Sequence, residues 1–231
     1  MPHDTPAPHP HHTGHRSRLR QRFLKSKGRD LADYELIELL LCMAMPRGDV
    51  KPIAKALIKR FKTFGGVLNG EAGELQKVDG MGETGAVALL AVRTAAERLL
   101  QDDVMHQPIL SSWQSLMDYV RVAMGANKTE QVRVLYLNRQ NILIADELQH
   151  EGTVDHTPVY PREVIKRALD LSASALILVH NHPSGDPTPS HNDVAMTKEL
   201  KAAGEKLGIQ IHDHVVVSKG GTASFKALGL L

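Results

Sequence analysis

The sequence is poor in several features that would mark particular classes of protein. It contains a single cysteine, Cys42, which excludes an internal disulfide and any zinc site built from several cysteines. Aromatic residues make up only 4% of the chain, which argues against a surface dominated by base stacking on single-stranded nucleic acid. No apolar run is long enough to span a bilayer, and the N-terminus lacks a charged-then-apolar signal pattern. From these absences we expect a cytoplasmic protein without a membrane segment.

The charged residues that are present are unevenly distributed along the 231-residue chain, although the net charge is only +2. Residues 16–101 carry 16 Lys and Arg against 10 Asp and Glu, whereas residues 102–231 carry 12 against 15. Such a division into a basic part and an acidic part predicts two modules with different partners.

Hydrophobic periodicity divides the chain in the same way. Residues 1–15, "MPHDTPAPHPHHTGH", are rich in Pro and His without periodicity, which predicts a disordered tail. Residues 16–101 repeat an apolar helical period and form a predicted all-α domain. Residues 102–108 are interpreted as a linker. Residues 109–231 alternate predicted strands and helices, which indicates an α/β domain with a mixed sheet.

The helical half contains the turn "VDGMGETGAVALL", with Gly80 and Gly82 between a short helix and a longer one. Glycines permit left-handed backbone angles and close approach of another chain. The free N–H groups at the start of the following helix suit a phosphate, so Gly80 and Gly82 are candidate contacts to a DNA backbone. The competing interpretation is a plain helical corner that packs and binds nothing.

A second stretch, "ILVHNHPSGDPTPSHND", carries the strongest chemical pattern in the chain. Side chains alternate along a strand, so His180 and His182 are expected on the same side of the sheet. Ser190 begins the next predicted helix, and Asp193 lies in its first turn. Two imidazoles and one carboxylate leave a fourth tetrahedral position for water, which is typical of a catalytic zinc site. The alternative is purely structural, because Ser190 and Asp193 also form a helix-capping box.

The segment "HNHPSGDPTPSHND" resembles the JAMM metalloprotease motif, and "GTVDHTPVYPREVIKRAL" and "HDHVVVSKG" resemble the bacterial RadC-like (UPF0758-type) family. The helical half is similar to the helix-hairpin-helix region of that family, so the resemblance covers the chain from about Arg16 onward. It implies two domains, an all-α helix-hairpin-helix region followed by an α/β JAMM/MPN-like domain with a mixed sheet.

The resemblance also implies a role for each residue that matches the motif. His180, His182 and Asp193 match the ligands of one Zn²⁺ per chain, and Ser190 matches the hydroxyl that steadies an oxyanion. Zinc lowers the pKa of a bound water to about 7, which makes hydrolysis of an amide bond possible near neutral pH.

The JAMM pattern further requires a glutamate on an early strand to act as general base. By position we match it to Glu130 in "TEQVRVLYLN", with Glu147 and Glu151 as alternatives on or just after the next strand. In "IQIHDHVVV", His212, Asp213 and His214 are interpreted as structural residues or as residues that orient a ligand imidazole, and not as a second metal site.

Three functions remain open at this stage. The first is a zinc metallopeptidase acting on an unidentified peptide or protein substrate. The second is a DNA-binding protein of the recombination or repair type, a nuclease or an accessory factor, that contacts duplex DNA without sequence preference. The third is a regulatory or scaffold protein that retains the metal without turnover.

Overall fold

The computed structural model describes residues 14–105, 107–109, 111–152 and 159–231, with the side chains of residues 150–152 left out of that description. Most of the predicted disordered tail, residues 1–13, therefore lies outside the described residues. The chain divides into two compact units, of which the first ends at Ala95 and the second begins at Ala96. None of the helices in the described ranges combines the length and the apolar character needed to cross a membrane.

The first unit is all-helical, as the periodicity predicts. Its core joins buried residues of five helices, including Ile37, Leu57, Val67, Leu75 and Leu89. The helices are α1 (His15–Ser26), α2 (Asp33–Ala44), α3 (Lys51–Phe61), α4 (Phe64–Leu68), α5 (Ala72–Gln76) and α6 (Glu83–Val104), the last of which continues into the second unit.

Two predicted boundaries differ from those in the structure. His15, assigned to the disordered tail, is the first residue of α1, and its Nε2 lies 2.6 Å from Oε1 of the buried Glu38. The predicted linker at 102–108 begins inside α6, which continues to Val104. The physical reason is that Leu100 and Val104 pack into the core of the second unit, which outweighs the polar residues between them.

The second unit contains a five-stranded mixed sheet in the order β2-β1-β3-β4-β5, flanked by helices. Of the four pairs that these described strands form, β3–β4 is parallel and the others are antiparallel, so the predicted mixed sheet is confirmed. The short last strand was not predicted. The elements are α7 (Trp113–Met124), β1 (Glu130–Leu137), β2 (Leu143–Gly152), α8 (Pro161–Asp170), β3 (Ala175–Asn181), α9 (His191–Glu205), β4 (Gln210–Ser218) and β5 (Gly221–Ser224).

The central strand β3 is buried along its whole length and divides its side chains between two apolar layers. Ile177 and Val179 pack in the layer that contains α7, whereas Leu176 and Leu178 pack in the layer that contains α8 and α9. By the same alternation the next even-numbered residue, His180, belongs to the face covered by α9. The fold therefore places this histidine beneath the helix that follows it in sequence.

Candidate metal centre

The end of β3 supplies two imidazoles to one face of the sheet. His180 is only 1% exposed. His182 follows the last strand residue, and its backbone N–H still donates to the carbonyl of Val217 on β4 (2.8 Å). The Nε2 atoms of the two rings lie 2.9 Å apart, as expected for side chains two residues apart on one strand.

The first turn of α9 brings a carboxylate to the same point. The Ser190 Oγ accepts from the backbone N–H of Asp193 (3.2 Å), and the Asp193 carboxylate accepts from the backbone N–H of Ser190 (2.7 Å). This reciprocal capping box fixes the direction of the Asp193 side chain. Its Oδ1 lies 3.4 Å from Nε2 of His180, and its Oδ2 lies 3.6 Å from Nε2 of His182. The capping box and the predicted ligand set are one arrangement.

The three donor groups fit a small divalent cation. In tetrahedral zinc sites the metal–ligand distances are about 2.0–2.2 Å, which places neighbouring donor atoms about 3.3 Å apart. The observed separations of 2.9, 3.4 and 3.6 Å bracket that value. His180, His182 and Asp193 are also the group within the described ranges whose donor atoms all lie within 4.8 Å of one another. Two nitrogens and one carboxylate oxygen form a donor set that suits zinc.

The charges of these groups are strongly coupled. Burial raises the pKa of the Asp193 carboxyl, but the adjacent imidazoles of His180 and His182 outweigh burial and hold that pKa well below its usual range. The nearby Asp193 carboxylate raises the pKa of His182, against the opposing effect of burial. The carboxylate is therefore ionised near neutral pH, as metal binding requires.

Each imidazole also has a hydrogen-bond partner at its Nδ1 atom. The carbonyl of Asp186, in the loop after β3, accepts from Nδ1 of His182 (2.9 Å). Nδ1 of His180 lies 2.7 Å from Nε2 of His214, which is fully buried on β4. Burial lowers the pKa of His214 well below its ordinary value, so this ring is neutral. Of the two roles left open for residues 212–214, this contact favours orientation of a ligand imidazole for His214.

Thr197 also supports this site, although its role was not predicted from the sequence. Its Oγ1 lies 2.6 Å from Nδ1 of His214 and donates to the carbonyl of Asp193 (2.6 Å). The signal available in the sequence was its spacing, because a threonine four residues after Asp193 on a helix can bond back to that carbonyl.

The other two residues of the "HDH" segment do not face the metal ligands. A register shift makes His212 an extra residue in β4, and its Nε2 lies 2.5 Å from Oδ1 of Asn141 in the β1–β2 turn. Asp213 is buried and accepts from the backbone N–H groups of His214 and Lys226 and from the Ser224 hydroxyl. Both residues therefore support the fold near the starts of β3 and β4.

Asn181, between the two histidines, faces the opposite side of the sheet and holds the start of β1. Its Oδ1 accepts from the backbone N–H of Gln131 (2.8 Å), and its Nδ2 donates to the carbonyls of Thr129 (3.0 Å) and Asn127 (3.4 Å). These bonds fix the residues on both sides of Glu130.

Glu130 lies on the same face of the sheet as the ligands. In the antiparallel β1–β3 pair Val132 is opposite His180, so the register continued by two residues places Glu130 opposite His182. The negative charge of Glu130 also contributes to the raised pKa of His182. Sequence position and sheet register thus bring the candidate base to the candidate metal centre.

The alternative glutamates are placed differently. Glu147 lies on the edge strand β2, where both carboxylate oxygens accept from Arg167 of α8 at 2.5–3.0 Å. The backbone of Glu151 pairs with Gln131, and its side chain lies outside the described residues. Of the two glutamates whose side chains are described, Glu130 is the one beside the ligands.

The glycine turn of the first unit forms between α5 and α6. Gly80 has a φ of 78°, a left-handed angle that explains the need for glycine at this position. Gly82 precedes α6, and its carbonyl accepts from the backbone N–H of Ala86 (3.1 Å). The predicted hairpin of a short and a long helix is therefore present, with exposed backbone at both glycines.

Comparison with known proteins agrees with this architecture. The sequence model of the RadC-like JAB domain matches residues 110–230, which span the second unit from just before α7. The chain is also 56% identical over 213 residues to a UPF0758 protein of Rhodobacter capsulatus. That alignment covers 92% of this chain and 100% of the relative.

Proposed function

Because this chain belongs to the RadC-like family, we propose that it is a zinc-dependent hydrolase that cleaves amide bonds in peptides or isopeptides. The observation that carries the proposal is the convergence of His180, His182 and Asp193, with Glu130 on the same face of the sheet. Three protein ligands and an adjacent carboxylate are typical of a catalytic zinc site, whereas a structural site has four protein ligands.

The three ligands would hold the ion at the end of β3, under the first turn of α9. A bound zinc ion supplies Lewis acidity, lowers the pKa of a coordinated water and polarises a substrate carbonyl. The protein supplies the remaining chemistry. The two imidazoles, each bonded at Nδ1, present their Nε2 atoms to a common point, and the capping box keeps the Asp193 carboxylate directed toward them.

Glu130 is proposed as the general acid–base. A carboxylate opposite His182 is placed to accept a proton from the attacking water and to return it to the departing amine. Asn181 holds the backbone beside Glu130, so the position of this carboxylate depends on β3 as well as on β1.

Ser190 is proposed to stabilise the oxyanion that develops on the substrate carbonyl. Its oxygen accepts from the N–H of Asp193 (3.2 Å), and its hydroxyl hydrogen would be donated to the substrate. Donation of that hydrogen to an oxyanion is worth about 3 kcal/mol in comparable hydrolases.

Hydrolysis is tested with the purified, zinc-loaded protein against peptide and isopeptide libraries read by mass spectrometry. We expect cleavage that is abolished by a chelator, restored by zinc and reduced by at least about 100-fold in Glu130→Gln. The matched control is Glu147→Gln, which removes a carboxylate of the neighbouring strand and should retain most of the activity. Equal losses in both variants, or cleavage that survives full metal removal, would contradict the assignment.

DNA binding by the first unit is a second candidate function, favoured by the left-handed turn at Gly80 and the exposed start of α6. It ranks second because Glu83 places a carboxylate in the first turn of that helix. Gly82→Asp should weaken binding to random duplex DNA, measured by fluorescence anisotropy over a salt series. Gly65→Asp is the control of equal charge, because this exposed glycine of α4 also has open space around it.

A further inference from the structure

A continuous chain of hydrogen bonds connects two of the candidate metal ligands on the side away from the metal position. It begins at the ring of His180, passes through His214 on the parallel strand β4 and Thr197 on α9, and ends at the backbone carbonyl of Asp193. Its three contacts measure 2.7, 2.6 and 2.6 Å. The two intermediate side chains are fully or almost fully buried, with 0% and 1% exposure, so water does not replace their partners.

The carbonyl at the end of this hydrogen-bond chain determines which group donates and which accepts at each earlier contact. A carbonyl oxygen only accepts, so the Thr197 hydroxyl donates to Asp193 and has no second hydrogen to give. Its oxygen must therefore accept from Nδ1 of His214, which carries the hydrogen of that ring. The His214 ring stacks on Phe225 with centroids 4.3 Å apart, and burial in such surroundings favours a neutral imidazole.

A neutral His214 with its hydrogen on Nδ1 has a bare Nε2, which accepts from Nδ1 of His180. In the neutral form that a metal-ligating imidazole must adopt, the His180 ring then carries its hydrogen on Nδ1 and leaves a free lone pair on Nε2. That lone pair is directed toward Nε2 of His182 and the Asp193 carboxylate, at 2.9 and 3.4 Å.

We propose that Thr197 and His214 are positioning residues that select the metal-binding tautomer of His180 and tie its ring to the helix turn carrying Asp193. The inference rests on the proposed function, because it concerns the same metal centre. It adds that zinc affinity is controlled by the Thr197 hydroxyl, which is two hydrogen bonds away from His180.

Thr197→Val isolates this role, because valine keeps the shape of threonine and removes only the hydroxyl. Nδ1 of His214 then loses its acceptor, so the ring gains more from carrying its hydrogen on Nε2 and donating it to His180. His180 in turn shifts its hydrogen to its own Nε2, which must be lost before a metal can bind. Loss of a partner behind a metal ligand typically weakens metal affinity by 10–100-fold.

Two measurements test the proposal. The first is the ¹⁵N chemical shifts of the histidine rings in the zinc-free full-length protein, which report each tautomer without any metal. The second is zinc affinity by competition with a chromophoric chelator. Thr197→Ser restores the hydroxyl. Thr94→Val is the matched control, because the Thr94 hydroxyl makes the same bond to a carbonyl four residues back, that of Leu90 (3.1 Å), on an exposed helix surface.

We expect Nδ1–H tautomers for His180 and His214 in the unaltered protein and a shift toward Nε2–H in Thr197→Val. Zinc affinity should fall by 10–100-fold in Thr197→Val and change by less than about threefold in Thr197→Ser and Thr94→Val. An Nε2–H tautomer of His180 in the unaltered protein, or unchanged zinc affinity in Thr197→Val, overturns the proposal. Absence of zinc binding in the unaltered protein overturns the proposed function instead, while the ring shifts still test the hydrogen-bond chain.

Discussion

Replacement of Asn181 by leucine should destabilise the second unit by an amount that can be worked out from its contacts. The side chain is 1% exposed and makes bonds of 2.8 and 3.0 Å, together with a weaker one of 3.4 Å. Each good bond contributes about 1 kcal/mol net, and an unpaired buried donor such as the Gln131 N–H adds a cost. We expect a loss of about 2–3 kcal/mol in the free energy of unfolding.

The assay uses the single tryptophan, Trp113, which lies at the start of α7 and packs against the core of the second unit. Its fluorescence during urea unfolding therefore reports on that unit. With a urea dependence of about 2 kcal/mol per molar, the midpoint should fall by roughly 1–1.5 M. Hydrogen exchange at Gln131 should accelerate in the same variant, because its N–H loses the acceptor on Asn181.

The control is Gln140→Leu, an exposed residue of the β1–β2 turn, which should change the stability by less than about 0.5 kcal/mol. If Asn181→Leu shifts the midpoint no more than this control does, Asn181 does not hold the start of β1 and the positioning of Glu130 needs another explanation.

Two further predictions concern the helical unit. Gly80→Ala should cost about 1–2 kcal/mol, because the φ of 78° is left-handed and the added Cβ would lie 3.0 Å from Ile53. Gly82→Ala, with no atom within 4 Å of its added Cβ, should lower the free energy of unfolding by less than about 1 kcal/mol. If the two alanine variants accelerate hydrogen exchange in α6 equally, this reasoning is refuted. The hydrogen bond from Arg22, which outweighs burial, lowers the pKa of Glu35 from its ordinary 4.5. The stability contributed by the Arg22–Glu35 pair is therefore present above pH 4.5 and lost as the pH falls through the lower pKa of the folded state. Glu35→Gln should remove this pH dependence from the hydrogen-exchange rates of α2.

Local patterns predicted the ligand set because each part of it follows from short-range geometry. Strand alternation places His180 and His182 on one side whatever the rest of the sheet does. The capping box fixes Asp193 in the first turn of α9 from four consecutive residues. Strand β3 is buried along its whole length for a similarly local reason, because its continuous apolar run has no polar face to expose to water.

The partners of the supporting residues could not be predicted, because these contacts depend on strand order and helix placement. His214 reaches His180 only because β4 lies parallel beside β3, and a single sequence does not specify which strands are neighbours. Thr197 reaches His214 only because α9 packs over that pair of strands. The end of α6 was placed too early for a similar reason, since Val104 gains its burial from a distant part of the chain.

The central claim is that His180, His182 and Asp193 form a site for one divalent metal ion per chain. The most direct test strips the full-length protein with a chelator, reloads it with zinc, removes free metal and measures the zinc-to-protein ratio by elemental analysis. We predict a ratio of one for the unaltered protein and close to zero for Asp193→Asn, a variant of nearly unchanged shape whose folding is checked by Trp113 fluorescence. A folded, unaltered protein that retains no zinc, or a folded Asp193→Asn variant that retains a full equivalent, would contradict the claim.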